Sequence, residues 1–215
     1  MGNLKEFKKY SLTIAGAVFA IYAAIMMLSG VHGIGVVTSL ALLGVGICCF
    51  IEKTEPVRAG LLALAALLSF FSLIGAFFDF VQALFAGWLN FFTFIVFAAG
   101  LLTSAIRVIA LLGLGALVFF GWKKSFKALE KFWFVPAVLT LVAAVIDGGL
   151  TFLNMIAYGF YFKVIFRIAV SIIIAVIYAV AQAALGLSTT GDEPVQVAEV
   201  PTVVEAPAAE TEDIN

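Results

Sequence analysis

The sequence predicts an all-α, polytopic integral membrane protein of six to seven transmembrane helices, followed by a disordered acidic tail. The hydrophobic fraction is 64% and the charged fraction 12%, and the mean hydropathy is +1.19, so a soluble domain of this length could not bury its apolar residues. Apolar runs long enough to cross a bilayer alternate with short polar loops. Most charges collect in a Lys-rich start, a Lys-rich loop over 123–131 and an acidic end.

The charge distribution divides the chain into three parts. Residues 1–10 form a basic N-terminal segment, residues 11–187 a transmembrane helical domain, and residues 188–215 an acidic tail rich in Pro, Glu and Val. The tail holds seven of the 13 Asp and Glu and none of the 12 Lys and Arg. Prolines and like charges oppose helix and core formation, so the tail is predicted to be disordered. Because the bases are dispersed among loops, no nucleic-acid binding is expected.

The spans are predicted in order along the chain. The apolar run over 11–28 is longer than the core of a cleaved signal peptide, and another span follows at once, so it is interpreted as the first transmembrane helix. The later spans are predicted over 34–51, 59–78, 82–101, 104–121, 132–150 and 164–187. Residues 80–122 carry one charge, Arg107. A single helix of that length would measure about 65 Å, twice the hydrocarbon core, so two spans are expected there.

The sequence leaves the number of spans open between seven and six. Helix length favours seven, and with the N-terminus inside that model places eight Lys and Arg inside and four outside. A model of six spans, with part of 79–122 re-entrant, puts both Lys-rich segments and both termini inside. The positive-inside rule prefers the second arrangement.

A short internal repeat bears on the architecture. Residues 41–46 read ALLGVG, and residues 110–115, 69 positions later, read ALLGLG. Spans 1–3 would then correspond to spans 4–6 with the last helix appended, a 3+3 repeat of inverted topology like that of many secondary transporters. The alternative is that helices rich in Ala, Leu and Gly match by composition alone.

Stripes of small residues at four-residue spacing mark the first and last helices. Such stripes let helix backbones approach closely, so each helix is expected to have a tightly packed neighbour, in this chain or in a partner. The stripes comprise Gly16, Ala20 and Ala24 on the first helix, and Ser171, Ala175, Ala179 and Ala183 on the last.

Four polar residues in the apolar region form a candidate intramembrane polar site: Asp79, Asp147, Asn90 and Arg107. A carboxylate in hydrocarbon normally faces a cavity or a cation. The two aspartates are therefore interfacial caps at span ends, a pair that accepts a proton or binds a cation, or structural partners of the bases Arg107, Lys163 and Arg167. Arg107 either reaches lipid headgroups from a turn between two spans or is buried and paired with an aspartate. Asn90 is expected to bridge helices through hydrogen bonds.

Six bases are expected at the membrane interface: Lys123, Lys124, Lys127, Lys131, Lys163 and Arg167. Trp122 and Trp133 flank the first four, as in the aromatic belt of a membrane protein. His32 is the only histidine and the two cysteines are adjacent, so no metal or cofactor is expected. The sequence contains no nucleophile elbow, P-loop or zinc-protease motif, and an enzyme is not expected.

These features favour a non-enzymatic, multi-pass protein of the cell membrane, a scaffold or accessory subunit of a membrane assembly. Its surroundings are the lipid bilayer, and a protein partner would bind the acidic tail or the small-residue faces of the first and last helices. The alternative is a small secondary transporter or channel for a small solute or cation that uses Asp79 and Asp147. Unbroken helices around an apolar core favour the first function, and helices broken near mid-membrane favour the second.

Overall fold

The structure, a computed structural model, describes residues 2–29, 33–51, 53–85, 91–125, 127–158 and 162–190. Within these ranges the chain forms six α-helices and a 3-10 helix. The α-helices are α1 (Gly2–Leu28), α2 (Ile34–Cys48), α3 (Glu55–Phe85), α4 (Phe91–Trp122), α5 (Val135–Tyr158) and α6 (Phe162–Ser188), and the 3-10 helix is Lys127–Phe132. The all-α prediction is confirmed.

Length and composition make the chain a helical membrane protein. In the described ranges, five helices are long and apolar enough to cross a membrane, namely α1, α3, α4, α5 and α6. Helix α2 is shorter, with 15 residues, which corresponds to about 22 Å. Gly33, whose φ of 60° glycine adopts without strain, precedes α2.

The predicted division of residues 82–121 into two spans is wrong. Helix α4 runs unbroken from Phe91 to Trp122, and α3 continues past Asp79 to Phe85. The prediction ended a helix at Asp79, but that side chain is exposed and an exposed carboxylate does not interrupt backbone hydrogen bonds. The apolar stretch is therefore shared by two long helices, and the part that α4 covers is helical rather than re-entrant.

The helices form a closed ring. Each packs on its neighbour in the sequence, α6 packs on α1, and α4 also touches α6. Residue pairs such as Gly44 with Leu61 and Thr140 with Gln182 meet across these interfaces, as an antiparallel up-and-down arrangement requires. We call the end of the ring where α1 begins and α6 ends the terminal face, and the opposite end the far face.

The buried core lies toward the terminal face. It consists mainly of Ala, Leu and Val, including Ala15, Leu42, Val45, Leu62, Ala65, Leu111, Leu114, Ala181 and Leu185. These residues come from the first halves of α1 and α3 and from the second halves of α2, α4 and α6, which an antiparallel ring brings together. Toward the far face, α3 and α4 instead expose large aromatic side chains such as Phe78 and Phe91.

Helices α1 and α2 cross at two glycines. A Cβ atom on Gly46 would lie 2.9 Å from the Gly16 carbonyl oxygen and 3.0 Å from the Ala20 nitrogen. The backbones therefore approach as closely as a small-residue stripe allows. Gly16 and Ala20 of the first stripe thus have α2 of the same chain as their close neighbour.

Other sequence predictions remain predictions. The ALLGVG and ALLGLG segments lie on α2 and α4, which are not equivalent helices in a 3+3 division, so the repeat gains no support from their placement. His32, Asn90 and the tail beyond Thr190 lie outside the described residues.

Candidate intramembrane polar site

Helix α4 carries Arg107 on its inward face. The buried residues Thr103, Leu111 and Leu114 stand four and seven positions away from Arg107, on the same side of the helix. Arg107 is 15 residues before Trp122, which places it about 22 Å along the helix from that interfacial tryptophan. The prediction that Arg107 lies at a turn between two spans and reaches lipid headgroups is therefore wrong.

Arg107 forms an ion pair with Asp147 of α5. The Arg107 Nη2 group donates a hydrogen bond to Asp147 Oδ2. The Arg107 side chain is 54% exposed and the Asp147 side chain 28% exposed, so the pair is partly open rather than sealed in the core. A charge-assisted hydrogen bond of this kind offsets part of the cost of placing two polar side chains in an apolar region.

A cavity of about 490 Å³ adjoins the pair between α4, α5 and α6. Its polar lining comes from Asp147, Thr151, Arg167 and Ser171. Gly100 and Gly148 also line it and leave room because they have no side chains. Since Arg107 balances the charge of Asp147, Arg167 leaves the cavity with a net positive charge, which favours an anionic or zwitterionic occupant.

A second polar layer lies closer to the terminal face. Thr140 Oγ1 donates to Gln182 Oε1 at 2.7 Å, and both residues are buried. Within the described part of the chain, Gln182 Nε2 has no hydrogen-bond partner. Thr140 precedes Asp147 by seven residues of α5, so the two layers are about 10 Å apart.

Two stacked tyrosines lie beside the second polar layer. The rings of Tyr22 on α1 and Tyr178 on α6 lie 4.3 Å apart at an interplanar angle of 18°. Tyr178 stands one turn before Gln182 on α6, so it lies on the same side of the helix as that buried amide.

The other predicted polar residues do not join this site. Asp79 is exposed on α3 and, among the described residues, takes part in none of the ion pairs. Asn90 lies outside the described residues. The site thus brings together Asp147 and Arg107 of the predicted set.

The predicted interfacial bases are divided between the two faces. Lys123, Lys124 and Lys131 are exposed at the terminal face, and the Lys123 ammonium lies 4.1 Å from the centre of the Trp122 ring. Arg167 is exposed and lines the cavity of the polar site. The side chains of Lys127 and Lys163 lie outside the described residues.

Sequence reasoning missed Thr140, Gln182 and the two tyrosines. A signal for two of them was present, because Gln182 is the only Asn or Gln in the apolar run 164–187, and Thr140 stands seven positions before Asp147, on the same helix face. Nothing in the sequence indicated that these residues on different helices would meet.

The chemistry that this site offers is ionic and hydrogen-bonding. Two guanidinium groups, one carboxylate and several hydroxyls can hold a small charged group. Among the described residues, no three or more His, Cys, Asp or Glu side chains are grouped so that they could hold a metal ion. Comparison of the chain with protein-family models, with curated proteins and with solved structures finds no match.

Proposed function

We propose that this protein is a non-enzymatic, multi-pass component of the cell membrane that acts as a scaffold or accessory subunit of a membrane assembly. The observation that carries the proposal is the closed ring of helices, whose terminal half contains a core made mainly of apolar side chains. Secondary transporters commonly bind their substrates where helices are broken near mid-membrane. Helix α4 instead passes through Arg107 without a break. A ring of this kind is suited to presenting fixed surfaces to a partner.

We place the terminal face on the cytoplasmic side of the membrane. The basic segment 1–10 and the Lys-rich loop 123–131 both adjoin this face, and the positive-inside rule assigns such segments to the cytoplasm. The acidic tail follows α6 from the same face. Its seven carboxylates are suited to a basic partner.

The tail and the outer side of α6 are the preferred partner surfaces. The Gly16 and Ala20 part of the α1 stripe already packs against α2, so it is less available to a second protein. On the outer side of α6, Ile173 and Val176 are exposed, whereas Ser171 lines the cavity of the polar site. The partner surface proposed here therefore lies at the C-terminal end of the chain.

The test is purification of the full chain from native membranes in mild detergent, followed by mass spectrometry. The matched variant replaces all tail Asp by Asn and all tail Glu by Gln at unchanged length. We expect one protein at fixed stoichiometry with the wild type, lost from the neutral-tail variant and retained when the tail sequence is scrambled at constant charge. Recovery of the wild type without any stoichiometric partner would contradict the proposal.

The second candidate is a small secondary transporter or channel, favoured by the Arg107–Asp147 pair and the adjoining cavity of about 490 Å³. Of the two predicted aspartates, Asp147 has the neighbours that transport would need. The positive charge of Arg167 favours a small anionic or zwitterionic solute over a cation.

Flux of such solutes into proteoliposomes tests this candidate. Asp147→Asn should abolish a wild-type flux, whereas Asp79→Asn, a change at the exposed aspartate of α3, should leave it intact. Absence of any flux that depends on Asp147 would exclude this candidate.

A further inference from the structure

A buried arginine stands in the first turn of α3. Arg58 is 5% exposed, and its Nη2 group pairs with Glu55 Oε1 at 3.2 Å. Its Nε group is buried and, within the described residues, has no partner at hydrogen-bond distance, while the guanidinium also lies close to the Cys49 thiol. Because a guanidinium presents five N–H donors in a planar fork and a buried unpaired donor is costly, Arg58 is equipped to bind an additional acceptor.

Arg58 lines a cavity of about 410 Å³ at the terminal face. The other polar residues of its lining are Glu55, Lys124, Ser188 and Thr189. The Ser188 and Thr189 hydroxyls already donate to backbone carbonyls of α6, so Arg58 and Lys124 supply the free donors. Two cations against one carboxylate, which is already paired, give the cavity a net positive charge.

An apolar groove of about 390 Å³ lies beside this cavity, between α3 and α4. Its lining includes the small residues Gly60, Ala63, Gly115 and Ala116. Trp122 lines both the groove and the cavity, so the polar and apolar spaces are adjacent. This combination fits an amphiphile, whereas a free phosphate ion would need the cavity alone.

We infer that the cavity and the groove together bind an anionic phospholipid. The phosphate group lies at the Arg58 guanidinium and the Lys124 ammonium, and an acyl chain lies along the groove. Arg is well suited to this task because its planar fork matches the geometry of phosphate oxygens. Basic pockets between transmembrane helices bind lipid headgroups in this way, and Trp122 marks the interfacial depth at which headgroups occur.

The test measures lipid retained by the full chain. The protein is reconstituted in phosphatidylcholine vesicles with a minor share of phosphatidylglycerol, re-extracted in mild detergent and examined by native mass spectrometry. We expect the wild type to retain phosphatidylglycerol and Lys124→Gln to retain roughly tenfold less, as the loss of one charge-assisted hydrogen bond implies. Lys123→Gln is the control because it removes the same charge from the neighbouring position. The Lys123 ammonium lies over Trp122, and Lys123 itself is not part of the cavity lining.

A variant of the buried Arg58 is a less direct test than Lys124→Gln. Arg58→Gln should also lose the lipid, but it removes a buried guanidinium and the partner of Glu55 and can unfold the protein. Lys124 is exposed, so Lys124→Gln tests the headgroup pocket without that complication. Equal retention by the wild type and Lys124→Gln would overturn the inference.

The groove has its own matched pair of variants. A Cβ atom on Gly60 would meet nothing within 4 Å, so the backbone there accepts a side chain, and Gly60→Leu should occupy the groove and reduce lipid retention several-fold. Gly75→Leu is the control, since Gly75 lies on the same helix with equally open space and outside the groove lining. Unchanged retention in Gly60→Leu would overturn the assignment of a lipid.

Two further arms distinguish other occupants. Inorganic phosphate is titrated against protein in phosphatidylcholine alone. Phosphate binding that depends on Lys124, together with no retention of phosphatidylglycerol, would mean that the pocket binds a free ion and would overturn the inference of a lipid.

The tail could also occupy the pocket. Asp192 and Glu193 follow Thr189 closely in the sequence, so the full-length variant Asp192→Asn with Glu193→Gln is also measured. Retention of phosphatidylglycerol by this variant and not by the wild type would mean that tail carboxylates fill the pocket, which also overturns the inference.

Discussion

Arg107 is tolerated in the middle of an apolar helix because Asp147 supplies an opposite charge and a cavity adjoins the pair. An unpaired arginine at the centre of a transmembrane helix costs about 2.5–3.5 kcal/mol on insertion scales. The hydrogen bond to Asp147 and the partial exposure of both side chains lower that cost. A polar layer in this position is therefore compatible with a stable membrane protein.

Breaking this pair should destabilise the protein. Asp147→Asn leaves the Arg107 charge without its partner, and we expect a loss of about 1–2 kcal/mol, below the range for fully buried pairs because both groups are partly exposed. Reversible unfolding in mixed micelles with sodium dodecyl sulfate measures the change. Asp79→Asn is the control and should be neutral.

A variant that lacks both charges isolates the contribution of the ion pair to stability. If the two charges stabilise each other, Arg107→Gln with Asp147→Asn should be more stable than the sum of the single changes implies. Strict additivity of the two changes would show that the ion pair does not contribute to stability.

The adjacent cysteines should differ in reactivity. Cys49, the residue that follows α2, is buried in the core, whereas Cys48 is half-buried. Because N-ethylmaleimide must reach a thiol to react with it, Cys49 should be labelled more slowly than Cys48.

Single-cysteine variants measure this difference. Cys48→Ala leaves the slow thiol and Cys49→Ala leaves the half-buried one, and labelling is followed by intact-mass measurement. Fast labelling of Cys48→Ala at neutral pH would contradict the burial of Cys49.

At the scale of the elements, the helices have unequal lengths. Helices α3 and α4 contain 31 and 32 residues, or about 47 Å each, whereas the hydrocarbon core is about 30 Å thick. These two helices must tilt or project beyond the bilayer. The α3–α4 pair stays together along its length, since Phe80 near the end of α3 packs against Phe94 at a ring distance of 5.7 Å.

The α1–α2 crossing should be intolerant of side chains. A Cβ atom on Gly46 would lie 2.9 Å from a backbone oxygen of α1, and backbone cannot yield as a flexible side chain can. We expect Gly46→Val to destabilise the protein by about 1–3 kcal/mol, measured by the same unfolding method. Gly75→Ala, in open space on α3, should instead stabilise it by about 0.5–1 kcal/mol. A neutral Gly46→Val would mean that the helices are farther apart.

At the scale of the whole molecule, the ring determines where the chain ends lie. Helix α1 begins and α6 ends at the terminal face, so reporters fused to either terminus should be on the same side of the membrane. Fusions of a cytoplasm-active and a periplasm-active or exterior-active reporter at each end measure this. Opposite locations of the two termini would favour the arrangement with seven spans and contradict the ring.

The ring also divides the interior into two unlike halves. The core of the terminal half is mainly apolar and includes small residues such as Ala65 and Ala181, which allow the helices to approach closely. The half nearer the far face holds the Arg107–Asp147 pair and its cavity. A transporter would need the cavity beside Asp147, whereas a scaffold would not. Solute flux through the Asp147 variants therefore distinguishes the two candidate functions.

Sequence by itself determined the membrane class and most of the helices, because a transmembrane helix is recognised by hydrophobicity summed over a local window. Thus the helix around 164–187 was predicted nearly as it occurs, the helix predicted over 11–28 ends as expected but begins earlier, at Gly2, and Asp147 was already among the partners considered for Arg107. Only the tertiary structure decided that α3 continues beyond Asp79, that Asp147 rather than Asp79 meets Arg107, and that Thr140 reaches Gln182 across 42 residues. The physical reason is that hydrophobicity is a property of the local chain, whereas the partner of an inward-facing side chain depends on how each helix is rotated and packed against helices distant in sequence.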